Sequence, residues 1–189
     1  MNTEYKNERL ADVAASGHLP PDLLAAISQA YTPAGMRVTQ AVRREAESAE
    51  YGACRLGLEG HAIVFRVAKT TPTKLGQFVT IWKRPMPDDD IAPLDSGDGV
   101  DFVVVSVDDA AQLGQFVFSQ EALLKHGVMS RDGKGGKRAM RVYPPWSNPV
   151  AKDAIKTQQW QLRYFLPLVP DVDPARVRQL FNTTLTSTT

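Results

Sequence analysis

Apolar residues recur along this chain in two rhythms. Around Leu23–Tyr31 and Ala151–Phe165 they return every third or fourth position, the period of a helix; between Tyr51 and Phe118 they alternate with polar residues or bunch into short runs, the habit of strands. Pro20-Pro21-Asp22 opens the first clear helix, with Leu23, Leu24, Ile27 and Tyr31 on one stripe and Thr32-Pro33 as its stop. Before it, residues 1–19 read as a peripheral extension with a short helix at Glu8–Ala15. After it, Arg37–Glu50 is polar and mixed in charge, and Val38–Arg44 takes a helical reading. Cys54, Leu56 and Leu58 then alternate with Ala53, Arg55 and Gly57, which predicts a strand with one buried face. Glu59-Gly60 turns the chain into a second strand, Ala62–Lys69, and Phe78–Arg84 returns as a third across the connector Thr70–Gly76.

The segment Pro85–Asp98 holds acids without a compensating base and predicts a solvated loop. Val100–Val107 is too continuously apolar for a half-exposed strand, so it is expected at the centre of the sheet with helices on both faces. Gly114–Phe118 is another strand, and Ser119–Gly127 a short helix with Ser119 as N-cap and Gly127 as stop. Ala154, Ile155, Gln158, Leu162 and Phe165 give Ala151–Phe165 a helical stripe that Trp160 and Tyr164 widen, which places both aromatics in the core. Asp173-Pro174 starts a last helix to Phe181, and residues 182–189 form a polar tail expected to be flexible. The pattern predicts one domain over residues 1–189, of α/β class (mixed α+β), with a central mixed sheet flanked by helices.

Composition narrows the function classes. With 43% hydrophobic and 23% charged residues the chain is an ordinary globular one, and a net charge of +1 gives no overall attraction to polyanions. The single cysteine, Cys54, rules out an intramolecular disulfide framework, and His18, His61 and His126 lack zinc-ligand spacing. No apolar run is long enough to span a membrane and the N-terminus lacks a signal-peptide core, so a cytoplasmic location is expected.

Charge becomes informative only locally. Arg66, Lys69, Lys74, Lys83 and Arg84 fall in one stretch without an acid, around a connector rich in hydroxyls such as Thr73. A second basic segment, glycine-rich, carries Lys134, Lys137, Arg138 and Arg141. Ammonium and guanidinium groups beside backbone amides and hydroxyls bind phosphate, and Trp82, Tyr143 and Trp146 add stacking surfaces. For this to work the two segments must converge in space. Plainer readings stand beside it: either segment is a solvated loop, Arg66 pairs a buried acid such as Glu50, Cys54 is a buried thiol, and His61 and His126 are exposed and idle.

Several pieces in order, Glu47-Ser48-Ala49-Glu50-Tyr51-Gly52-Ala53, Phe65-Arg66-Val67-Ala68-Lys69, Thr71-Pro72-Thr73-Lys74, Gly76-Gln77-Phe78-Val79, Trp82-Lys83-Arg84, Gly136-Lys137-Arg138, Arg141-Val142-Tyr143-Pro144-Pro145-Trp146, Gln159-Trp160-Gln161 and Tyr164-Phe165, resemble the MepB family. That bacterial family is named for a gene beside a multidrug efflux pump and its repressor. The resemblance covers Glu47 to Phe165 and implies a restriction-endonuclease-like core with a nucleic-acid partner. A nuclease of that fold needs two carboxylates on Mg²⁺ and a nearby lysine. Here the pattern departs, because Val67 and Ile81 stand where an acid would precede Lys69 and Lys83. Asp132-Gly133-Lys134 has the spacing but sits in a glycine-rich turn. Glu50 and Asp101, expected to meet across a sheet, remain as catalytic candidates with Lys83, and Mg²⁺ is implied only if they act; no other cofactor or metal site is expected.

The leading expectation is therefore binding of DNA or RNA without efficient cleavage, through Arg66, Lys69, Thr73, Lys74, Gln77, Lys83, Arg84, Lys134, Lys137, Arg138 and Arg141. A metal-dependent nuclease with a rearranged site, or a protein partner in a drug or stress response, are the alternatives.

Overall fold

The computed structural model describes residues 17–182, so the expected helix at Glu8–Ala15 and nearly all of the 182–189 tail lie outside the described residues. The first described helix, α1 (Pro21–Ala26), continues as a π-helical turn over Ile27–Tyr31 and buries Leu23, Ala26, Ala30 and Tyr31. The segment Val38–Arg44, read as helical from sequence, is strand β1: it pairs antiparallel with β2 (Cys54–Leu58) from Val38↔Leu58 to Arg44↔Cys54. A polar sequence suits it because it is the outer strand, largely exposed, with register breaks after Val38 and after Gln40. Glu59 and Gly60, with φ of 49° and 80°, make the tight turn into β3 (His61–Val67).

Beyond β3 the chain leaves the main sheet. β4 (Lys69–Thr71) and β5 (Lys74–Thr80) pair with each other, so the turn shrinks to Pro72-Thr73 and most of the expected connector is strand. The expected strand Phe78–Arg84 breaks at Ile81, whose buried side chain ends β5 and whose amide donates to the Arg138 carbonyl at 2.9 Å. Trp82–Lys83 (β6) then pairs with Ala92–Pro93 (β7). The acidic loop is not simply solvated. Asp98 accepts from Lys83 Nζ, and Asp95 accepts from Ser130 Oγ at 2.6 Å, Gly133 N at 2.8 Å and Gly97 N at 2.9 Å. These bonds tie the loop to the glycine-rich segment, and they hold the Asp95 carboxyl well below the usual carboxylate range.

The chain then enters β8 (Phe102–Asp109), parallel to β3, and returns through β9 (Gln112–Ser119). With β11 (Phe165–Pro167) at its end, the strand order β1-β2-β3-β8-β9-β11 makes a six-stranded mixed sheet with the apolar run near its centre, as the sequence predicts. That last strand packs Phe165 over Gly114, where a Cβ would come within 2.3 Å of the ring. Among the helices, α2 (Gln120–Lys125) starts at Ser119, whose hydroxyl accepts from the Ala122 amide at 3.2 Å. Between them, α3 (Lys152–Gln161) stops before Phe165, because Leu162–Tyr164 tighten into a 3₁₀ turn feeding β11; Ile155 is exposed. The last helix, α4 (Pro174–Leu180), is capped by Asp173 as expected.

The two faces of the large sheet are covered differently. Leu56, Leu58, Phe65, Val67, Phe102 and Val104 pack against Leu23 and Tyr31 of the first helical segment and Val177, Leu180 and Phe181 of the last. On the other face, Val64, Val103, Val105, Phe116 and Phe118 meet Val79 and Ile81, with Met140 and Val142 of β10 (Ala139–Val142) and Leu123 of α2. The cover expected to be helical on both sides is thus, on one side, a small sheet of order β10-β5-β4. None of the described helices is long and apolar enough to cross a membrane.

Candidate nucleic-acid interface

One face of β5 is spent on the core: Gln77 and Val79 are buried, so Lys74, Gly76, Phe78 and Thr80 stand on the other face. Pairing sets the neighbours. Lys69 of β4 and Arg141 of β10 both lie opposite Phe78, which flanks one half-buried ring with two cations. The Arg141 guanidinium lies 5.8 Å from the Phe78 ring centre and donates to Thr71 Oγ1 at 2.8 Å. Lys69 Nζ sits 4.7 Å from the Tyr51 ring, and Tyr51 meets Phe78 edge-on at 6.2 Å. Burial lowers the Lys69 pKa while the Glu50 charge opposes that shift. Part of each basic segment therefore meets on one small sheet: Lys69 and Lys74 from the first, Arg141 from the second.

Beside this sheet α3 is fixed by a glutamine. Gln161, fully buried, donates from Nε2 to the Arg141 carbonyl at 2.8 Å and accepts from the Tyr143 amide at 2.9 Å, as a further strand on β10 would. Gln158 donates to the carbonyls of Pro144 at 3.0 Å and Ser147 at 2.8 Å, which fixes the Tyr-Pro-Pro-Trp corner. Between sheet and helix opens a groove of about 460 Å³ lined by Lys74, Phe78, Lys137, Ala139, Arg141, Tyr143, Trp160 and His126, among others. The Trp160 and His126 rings stack at 4.1 Å with 8° between planes. His126, expected to be exposed, is half-buried and part of the groove wall. Burial, with Lys125 and Arg163 nearby, lowers its pKa.

The expected contact residues divide into two sets. Arg66 is 1% exposed and gives Nη1 to Glu45 at 2.6 Å, while Glu45 also accepts from Arg55 at 2.6 Å; its partner is Glu45, not Glu50, and it cannot reach a ligand. Burial acts to raise the Glu45 pKa, but the charges of Arg66 and Arg55 outweigh it and hold the carboxyl below its ordinary value. Lys83 pairs Asp98, and Arg84 donates to Glu47 at 2.7 Å. Gln77 is turned inward, donating to the Asp108 carbonyl at 2.8 Å and Thr70 Oγ1 at 3.0 Å. By contrast, Lys74, Lys134, Lys137, Arg138 and Arg141 have no carboxylate partner among the described residues. Thr73 is exposed in the β4–β5 turn, and Lys134 and Arg138 are exposed outside the groove.

The proposed acidic pair does not form. Asp101 is beside Ala62 at the start of the parallel β3–β8 pair, its Oδ2 accepting from the Ala62 amide at 2.8 Å, whereas Glu50 is near Lys69, past the other end of β3. The intervening strand spans about 20 Å at ~3.3 Å per residue. With Lys83 tied to Asp98 as well, these residues do not fit a Mg²⁺ site, and no group of three or more His, Cys, Asp or Glu set to hold a metal occurs among the described residues. Asp132 lies in an exposed turn at φ 51°. Burial pushes the Cys54 thiol up to about 11, which leaves it unreactive. Trp160 packs against Phe118 in the core as expected, at 5.3 Å between rings, and also lines the groove; that second role, and the strand-like bonds of Gln161, are what sequence reasoning misses, because nothing in their spacing marks a groove.

Comparison with known proteins bears on the fold and kinship. No curated protein matches the chain. A solved structure, the crystal structure of MepB, is 32% identical, covers 70% of this chain and 88% of that one, and superposes with a TM-score of 0.66. The family model described as MepB-like matches residues 45–167, a span holding the small sheet, the groove and every cation discussed above. The chain therefore belongs to the MepB-like family.

Proposed function

We propose that the protein binds nucleic acid through the outward face of its small sheet, without efficient cleavage. Lys69, Lys74, Lys137 and Arg141 take phosphates, Phe78 and Tyr51 offer ring surface, and Lys134 and Arg138 reach the strand beyond the groove. On this reading the six-stranded sheet is a restriction-endonuclease-like core, in a bacterial cytoplasmic protein, that supports a binding face instead of a metal centre. The observation that carries the proposal is the division of cations: Arg66, Lys83 and Arg84 each hold a carboxylate, and Lys74, Lys137 and Arg141 around the groove hold none among the described residues.

Fluorescence anisotropy with labelled DNA and RNA at several salt concentrations, with metal chelated, tests it. Affinity is expected to fall linearly with salt on logarithmic axes. Lys74→Ala and Lys137→Ala should each flatten the slope by about 0.7 to 0.9, one phosphate's worth, with no change in the melting curve. Salt-insensitive binding, or folded variants that keep the full slope, would sink the assignment.

A further inference from the structure

The groove beside the small sheet has a shape and chemistry that a phosphate-binding face alone does not need. Its sheet side presents Phe78 and the small side chain of Ala139, its helix side the stacked Trp160–His126 pair, and its base the buried Val128 and Met140. Lys74, Lys137 and Arg141 are cations of the same lining. A volume of about 460 Å³ lies within the range of small-ligand pockets. Aromatic rings on two sides of an apolar base, with cations around them, match a planar heterocycle joined to a phosphate. Paired bases inside a duplex present only their edges and backbone, so they cannot enter such a recess.

We infer that this groove is a slot for one nucleotide unit, which takes an unpaired base between Phe78 and the Trp160–His126 pair while Lys74, Lys137 and Arg141 hold its phosphate. The inference rests on the nucleic-acid reading and sharpens it to a single-nucleotide subsite. The same chemistry serves a free mononucleotide or one nucleotide of a strand.

The test uses the full chain and three probes: a short single-stranded oligonucleotide, an abasic strand of the same length and charge, and adenosine monophosphate as competitor. The base-bearing strand is expected to bind about ten-fold more tightly than the abasic one, the effect of one good base–aromatic stack. Ala139→Phe, which fills the slot from an outward strand position, should erase that preference while leaving salt-dependent binding of the abasic strand; His126→Ala should reduce it without altering the sheet. Competition by adenosine monophosphate would show that the free nucleotide suffices, and its failure beside an intact strand preference would place the nucleotide in a strand. Equal binding of both strands by the wild type overturns the slot and leaves the phosphate face standing. A preference that survives both substitutions also overturns it. No binding of either strand removes the phosphate face and the slot together.

Discussion

Arg66 and Lys74 carry the same charge in the same basic stretch, and their surroundings give them opposite roles. Arg66 is enclosed between the sheets and its guanidinium is balanced by Glu45, which also holds Arg55. Removing one member of a buried pair leaves the other charge unsolvated, so Glu45→Ala is expected to cost about 3 to 5 kcal/mol in urea unfolding. Lys74, exposed and without a carboxylate partner, should change stability by under about 0.5 kcal/mol when replaced by alanine. His126 gives the residue scale a pH dependence. Its folded value lies below the ordinary 6.5, first through burial and then through Lys125 and Arg163, so the fold favours the neutral ring. Its stabilising contribution is complete above that ordinary value and is lost as pH falls through the lower folded one. His126→Phe keeps a ring against Trp160 and should flatten the acid side of a melting-temperature profile. Residue types were readable from the chain, but partners were not: nothing in the sequence selects Glu45 over Glu50 for Arg66, or assigns Asp98 to Lys83.

At the scale of elements, Gln161 is the joint between helix α3 and strand β10. Its amide occupies the Arg141 carbonyl and the Tyr143 amide, the two backbone groups at the strand's free edge. Gln161→Leu keeps much of the volume and leaves both unsatisfied. The expected loss is about 1 to 3 kcal/mol per buried group, with faster hydrogen exchange at the Tyr143 amide as the direct readout. Strands with one or two buried faces were legible, because alternation at Cys54–Leu58 and continuity at Phe102–Val105 follow directly from burial. β1 was not, since an outer strand largely in solvent has no apolar rhythm to betray it. Nor was the division of Lys74–Lys83 into two strands in different sheets. That break depends on which carbonyl receives the Ile81 amide, and the carbonyl is Arg138, far along the chain.

For the whole molecule, the decisive feature is the parallel pairing of β3 with β8. Parallel neighbours need a long crossover, usually helical. Here the crossover holds β4 to β7, and β10 later completes the small sheet. The proposed binding face is thus carried on the connection between two central strands and braced from below by the core. A nearly neutral molecule can in this way gather Lys74, Lys137 and Arg141 around one groove, because Arg66 and Lys83 are balanced by Glu45 and Asp98, which lie outside its lining. Composition reported the balance and could not report the segregation. The large sheet ends at one side in β1, with its two register breaks and Arg43 and Arg44 at its close, and at the other in a three-residue strand ending in Pro167. Irregular, charged or proline-bearing edges are poor templates for a recruited strand. If copies crowd along a nucleic acid as proposed, the large sheet offers them no flat, open border through which β-rich proteins polymerise, so they could sit side by side without aggregating through it.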